Sequence, residues 1–359
     1  MKTRAPLVDC DVHNRFHPTR LADYLPDRWR RWYQDLGTRP NTSAGFTRPR
    51  AHASITNSWP AGGFPGSDRD FMTEQLLDRW HHTYAILNPI DQANFASQPG
   101  DYAAALDRAT NEWMAAEWLD PEPRYRGAIS IPFEDADLAV AEIERWAGDQ
   151  RFVHLLLNNV SRDPFGNRRY WPIYEAASHF DLPVAIHVAG NSGHPKSSAG
   201  WPSSYFEDHS GYVVAFLDHV ISMVSEGVFD RYPTLKVVLM EGGFGWMPSL
   251  MWRLDRSYNL LRETLPPLER KPSEYCRSHF WFTTQPIEEP QRPQDLMNVI
   301  CWLDMDDRYL FATDYPHWDF DAPDRAIPAD VPAHLRRGIF YANALALYKR
   351  LPALPGSEL

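Results

Sequence analysis

A chain of 359 residues, 43% of them hydrophobic, can bury a large core, either as one barrel of alternating strands and helices or as two or three domains. Its formal net charge of −11 argues against nucleic acid or an anionic membrane as principal partner, because both need clustered Lys and Arg and no basic run is present. Cys10, Cys276 and Cys301 are odd in number and far apart, which argues against a disulfide framework and for a reducing cytoplasm. No apolar secretory segment and no run long enough to span a bilayer is found. Aromatic residues are abundant (14 Trp, 16 Tyr, 18 Phe), enough to furnish a core and also a pocket for a small molecule with a large apolar part.

Eight short β-rich runs alternate with longer helical patterns. The first, 7–13, ends in Asp11-Val12-His13; residues two apart on a strand share a face, about 6.6–7 Å from each other. The segment 39–69 follows, rich in Pro, Gly, Ser and Asn and poor in periodicity. A second strand is predicted over 83–88, then helix 103–119, strand 125–131, helix 136–147, strand 152–157 and helix 171–179. The fifth strand, 182–188, ends near His187. Another long connection, 189–208, precedes helix 212–226. The sixth strand, 235–241, ends in Glu241 and is followed by helix 246–263. The seventh is placed at 280–284 and the eighth at 309–313, directly before Asp314. Most of these strands are continuous apolar runs, as expected of strands covered on both faces.

Eight such alternations predict a single (β/α)₈ TIM barrel over residues 1–350, with a frayed tail at 351–359 and functional groups at the C-terminal ends of the strands. The two long loops, 39–69 and 189–208, should emerge on that face as lids or pocket walls. A doubly wound open sheet is the competitor, but it would want a Gly-rich turn after the first strand, and Asp11-Val12-His13-Asn14-Arg15 is not one.

In a barrel the polar ends of these strands converge. Asp11, His13, His187 and Asp314 supply two carboxylates and two imidazoles, a set suited to one divalent ion, Zn²⁺ first and Mn²⁺ or Fe²⁺ next, with a position left for water or substrate. No Lys ends the fourth strand to bridge a second ion. Asp9 shares the parity of Asp11 and His13 one layer deeper and reads as structural. Glu241 reads either as a general acid/base or as an anchor between strands, and His209 as a catalytic residue or a helix cap. His317, after Pro316, is expected to contact Asp314. His194 in the second long loop reads as solvated, and His81 and His82 lie at the wrong end of the barrel.

Asp11-x-His13, the His187 strand end, Glu241-Gly242-Gly243-Phe244-Gly245-Trp246 and Thr313-Asp314-Tyr315-Pro316-His317 together resemble the amidohydrolase superfamily. Within it they resemble the amidohydrolase-2 branch that includes aminocarboxymuconate-semialdehyde decarboxylase relatives. The resemblance spans nearly the whole chain. It implies a mononuclear metal barrel, carries ligand roles onto Asp11, His13, His187 and Asp314, and suggests a homodimer. Two positions depart from it. Many relatives have H-x-H where this chain has Asp11, and the decarboxylases place a histidine at the end of the sixth strand, where this chain has Glu241.

That second departure favours hydrolysis as the leading expectation. Asp314 would take a proton from an activated water and His209 or Glu241 would assist cleavage of an acyl bond, with a thioester as best guess. The chain is also similar to the amidohydrolase-fold thioesterases of diterpenoid antibiotic pathways, in which zinc has an aspartate ligand. The alternative is metal-dependent, non-oxidative decarboxylation of an aromatic or unsaturated acid, with His209 or His317 supplying the proton. A barrel that binds ligand without turnover would be expected to lack part of the metal set, which is complete here.

Overall fold

The computed structural model describes residues 5–36, 53–89, 95–188 and 195–354. Eight parallel strands lie in sequence order: β1 (Val8–Val12), β2 (Tyr84–Leu87), β3 (Tyr125–Ser130), β4 (Phe152–Asn158), β5 (Val184–His187), β6 (Val237–Met240), β7 (Phe280–Thr283) and β8 (Tyr309–Leu310). Every residue of every strand is buried, which is why the strands read as continuous apolar runs. Helices intervene, among them Gly100–Met114, Ala136–Trp146, Trp171–His179, Tyr212–Ser225 and Met247–Leu261. The predicted (β/α)₈ barrel is the observed fold.

Closure falls to the residues after β8. Tyr309 and Leu310 pair with β7, and the chain then leaves the strand, but its backbone stays bonded to β1. Cys10 N–H donates to Phe311 O at 2.8 Å, Asp314 N–H to Asp11 O at 3.0 Å, and His13 N–H to Tyr315 O at 2.7 Å. The eighth strand is therefore shorter than the predicted 309–313, although the same residues seal the barrel.

A bulge in β1 corrects the expected parity of Asp9. Val8 pairs with Tyr84 and Asp9 with Ala85, but the next partner of Leu87 is Val12, one residue late. Val8 and Cys10 pack in the smaller apolar cluster with Ile86 and Ala185, whereas Val12 packs with Leu87 in the larger one. The extra residue turns Asp11 and His13 inward after Cys10 and leaves Asp9 on the other face, since bulges re-aim side chains. There Asp9 accepts from Thr313 Oγ1 at 2.6 Å and Thr313 N–H at 3.0 Å, and its Oδ2 lies 3.3 Å from His82 Nε2. A similar shift in β4, where Gly127 pairs with Phe152 but Ala128 with His154, brings His154 toward Asn88.

The described part of the first long loop lies against the barrel mouth. Ser54 bridges to His317, Ile55 N–H donates to Pro316 O at 3.0 Å, and Arg15 N–H donates to Gly66 O at 2.8 Å. A Cβ at Gly66 would stand 2.5 Å from the His13 carbonyl oxygen, and the residue has φ +79°, so only glycine fits this approach. Of the second loop, residues 189–194, with His194, lie outside the described residues. Its later part is more regular than predicted, because Ser204 accepts from Glu207 N–H and starts a short helix, Tyr205–Ser210, that carries His209. No helix among the described residues is long and apolar enough to cross a membrane.

Candidate metal centre

Four strand ends, those of β1, β5, β6 and β8, bring Asp11, His13, His187, Glu241 and Asp314 together at the buried C-terminal face. His13 Nε2 stands 2.9 Å from Asp314 Oδ1, 3.5 Å from Glu241 Oε1 and 3.6 Å from Asp11 Oδ1. His187 Nε2 stands 3.2 Å from Glu241 Oε1 and 3.6 Å from Asp11 Oδ2. Both imidazoles have their other nitrogen occupied: Nδ1 of His13 donates to Asn88 O at 2.8 Å, and Nδ1 of His187 to Val188 O at 2.6 Å. Those bonds fix the tautomer and turn two Nε2 lone pairs toward the carboxylates, the usual arrangement of metal-ligating histidines. Asp11 Oδ2 and His187 Nε2, both buried, have no hydrogen-bond partner among the described residues. They face each other across a gap that a cation would fill. Ligands about 2.0–2.2 Å from an ion lie about 3–3.5 Å from one another, close to the separations found here.

The electrostatics also call for a cation. Burial raises the Asp11 carboxyl, an effect that His13 and His187 oppose and Glu241 reinforces. Burial raises Asp314 well above the usual carboxylate range, with Glu241 adding to it and His13 opposing. Burial would lift Glu241 too, but His187 and His13 on either side hold it well below its ordinary value. Burial acts downward on His13, yet Asp11, Asp314 and Glu241 outweigh it and raise the imidazole well above its usual range. Three buried carboxylates thus draw positive charge onto two imidazoles, and a divalent ion would displace those protons.

Asp314 and Glu241 both adopt left-handed backbone conformations, φ +54° and +61°. Non-glycine residues are uncommon there, and such strain is typical of functional sites. His317 contacts Asp314 as expected, Nδ1 to Oδ1 at 2.6 Å, with its ring 4.7 Å from that of His13. Burial, with His13 beside it, holds His317 well below its usual range, so the ring is neutral and Nδ1–H donates to Asp314. His209 stands farther out. Its Nε2 is 3.2 Å from Asp319 Oδ2, and the ring lies among Tyr205, Tyr212 and Trp318, with centroids 5.0–5.7 Å away.

Sequence reasoning missed Asn88 and His154. Asn88 Nδ2–H donates to Asp11 Oδ1 at 2.9 Å, while Asn88 O accepts from His13, so one residue at the end of β2 orients both groups of the D-x-H pair. Asn88 Oδ1 in turn accepts from His154 Nε2 at 2.8 Å. An amide closing the apolar run Tyr84-Ala85-Ile86-Leu87 is a visible signal for Asn88, but an amide neither titrates nor commonly ligates a metal. His154 lies mid-strand in β4, away from the strand end where chemistry gathers.

A family model described as amidohydrolase (Amidohydro_2) matches residues 8–350. The chain is 30% identical over 259 residues to a gamma-resorcylate decarboxylase of Polaromonas sp. strain JS666, covering 67% of this chain and 76% of that protein. It is 26% identical over 295 residues to a gamma-resorcylate decarboxylase of Rhodococcus jostii, covering 77% and 86%. In fold it is similar to a dihydroxybenzoic acid decarboxylase of the same Polaromonas strain, whose crystal structure contains manganese and 2-nitroresorcinol (TM-score 0.66, 23% identity, 98% of each chain). A 5-carboxyvanillate decarboxylase of Novosphingobium aromaticivorans with manganese is likewise similar in fold (TM-score 0.70, 18% identity, 97% of each chain).

These relatives overturn the expected acyl-bond hydrolysis, with its thioester best guess, in favour of the alternative. The physical reason is that a buried ion among carboxylates and imidazoles can polarise a substrate oxygen in either reaction, so D-x-H and the aspartate after β8 do not separate the two. With the whole barrel covered by the match and the site groups gathered at its mouth, the chain belongs to the amidohydrolase family.

Proposed function

We propose that this chain is a metal-dependent, non-oxidative decarboxylase acting on a hydroxylated aromatic carboxylic acid. The observation that carries the reading is the buried cluster of Asp11, His13, His187, Glu241 and Asp314 in a chain whose relatives are named as decarboxylases of such acids. Asp11, His13, His187 and Asp314 hold one divalent ion. Manganese is the first choice, given the carboxylate content of the set and the manganese in the two similar structures. When bound, the ion supplies Lewis-acid polarisation of the substrate's oxygens.

The chain's own residues then handle the proton. Asp314 carries one as the carboxylic acid and passes it to the ring carbon that bears the substrate's carboxylate. The neutral His317, its Nδ1 2.6 Å from Asp314 Oδ1, donates to and steadies the carboxylate left behind. The carbon–carboxylate bond breaks, its electron pair returns to the ring, and CO₂ leaves; no water is consumed. His209, partly open to solvent and held by Asp319, restores the proton from outside. The aromatic rim of Tyr205, Tyr212 and Trp318 packs against the substrate ring and limits water at the reacting carbon.

Chelator-stripped and manganese-reloaded protein should be assayed on hydroxylated benzoates, including gamma-resorcylate and 5-carboxyvanillate. The reading requires product with one carboxyl fewer, stoichiometric CO₂, and loss of both on chelation. Turnover that survives full removal of metal would refute it.

A further inference from the structure

We infer that Glu241 is itself a ligand of the ion, making the centre a set of three carboxylates and two imidazoles. This rests on reading the cluster as a metal centre and specifies what kind of centre it is. Glu241 Oε1 lies 3.2 Å from His187 Nε2 and 3.5 Å from His13 Nε2, beside the coordinating atoms themselves. The donor atoms of Asp11, His13, His187 and Glu241 all fall within 4.8 Å of one another. A carboxylate acting as acid or base on substrate would have to reach outward. This one sits between the two imidazoles whose lone pairs face the centre.

The backbone on both sides is built to keep it there. Glu241 N–H donates to Thr283 Oγ1 at 3.1 Å, which ties the end of β6 to β7. Just beyond, a Cβ on Gly242 would stand 2.6 Å from the Phe216 ring, so the turn lies flat against that helix. The Glu288 carboxylate then accepts from Phe244 N–H at 2.8 Å and from Gly245 N–H at 2.5 Å, clamping the turn from the far side. With both flanks tied, the positive φ of Glu241 is held and its side chain has little freedom to swing away.

An oxygen-rich set would favour Mn²⁺ over Zn²⁺ more than a set of two carboxylates and two imidazoles would.

The test is Mn²⁺ and Zn²⁺ titration of chelator-stripped wild type, Glu241→Gln and Asp11→Ala, read by the free-Mn²⁺ spin-resonance signal and by calorimetry. Loss of a ligand should weaken Mn²⁺ binding by at least about 10–100-fold in Glu241→Gln, the range known for lesser, outer-shell changes, and weaken Zn²⁺ binding less. If wild type binds an ion, Asp11→Ala does not, and Glu241→Gln matches wild type, the inference fails while the metal reading stands. If wild type binds no ion, both fail. Should Glu241→Gln not fold, anomalous diffraction from Mn²⁺-soaked wild-type crystals decides: Oε1 at a bonding distance of about 2.2 Å supports the inference, and a carboxylate turned away refutes it.

Discussion

Replacing Asn88 by alanine strips the donor from one oxygen of Asp11 and the acceptor from His154 in a single step, while leaving the backbone carbonyl that orients His13. Among the described residues His154 has no partner for Nδ1, so its buried imidazole would be left unpaired, and Asp11 would lose Oδ1's partner beside an Oδ2 that has none there either. Two buried polar groups left unsatisfied at about 1–3 kcal/mol each give a loss of about 2–6 kcal/mol. A water entering the vacated space would place the value at the lower end. Misdirecting Asp11 should also weaken ion binding about 10–100-fold, or about 1.4–2.7 kcal/mol. Urea unfolding of the metal-free protein reads the first quantity and Mn²⁺ titration the second. Removing His154 as well should be partly compensating, because apolar replacement of both partners costs less than stranding one. Asn88→Ala/His154→Leu should therefore recover about 1–3 kcal/mol relative to the sum of the single changes. Additive single and double mutants, with unchanged ion affinity in Asn88→Ala, would refute the linkage of Asp11 and His154 through Asn88.

Asp314→Asn removes the acid that hands its proton to the ring carbon and should lower turnover by about 10²–10⁴-fold in metal-loaded protein with native circular dichroism; near-normal turnover would contradict its role. Gly66→Ala forces a Cβ toward the His13 carbonyl at a positive φ and should cost about 1–3 kcal/mol in urea unfolding; an unchanged midpoint would show that the loop can yield. His219 is pulled down to about 4 by burial, with Nε2–H donating to Asn159 O and Nδ1 accepting from Phe165 N–H. Above pH 6.5 it is neutral in both folded and unfolded chains and contributes no pH dependence. As pH falls below that, the unfolded chain takes up a proton the folded one refuses, so stability drops by about 1.4 kcal/mol per unit, about 3 kcal/mol in all by pH 4. Urea midpoints across this range should show a shallower acid limb in His219→Gln, and an identical limb would contradict the assignment.

The eight strands were legible because each is a short apolar run buried on both faces, and Asp11, His13, His187, Glu241 and Asp314 because each ends such a run. The structural reading of Asp9 holds, but its face was misread because period-two parity holds only while the register does, and the β1 bulge adds a residue that nothing in Val8-Asp9-Cys10-Asp11-Val12 announces. The eighth strand was read too long because Phe311–Thr313 are as buried and apolar as strand residues, yet their backbone bonds serve closure. Helix Tyr205–Ser210 was absorbed into a loop because six residues are too few to show helical periodicity, although Ser204 and Glu207 already had the spacing of a helix start. The reaction itself was not legible. The same groups suit water activation and carboxylate removal.

One measurement tests the decarboxylase reading most directly: carbon-13 and proton NMR of manganese-loaded protein turning over carboxyl-labelled 2,6-dihydroxybenzoate in D₂O. The account predicts labelled CO₂ and bicarbonate, with one deuterium on the ring carbon that lost the carboxylate, and neither in Asp314→Asn. Intact labelled acid after prolonged incubation of ion-replete protein, here and with 5-carboxyvanillate, would contradict it.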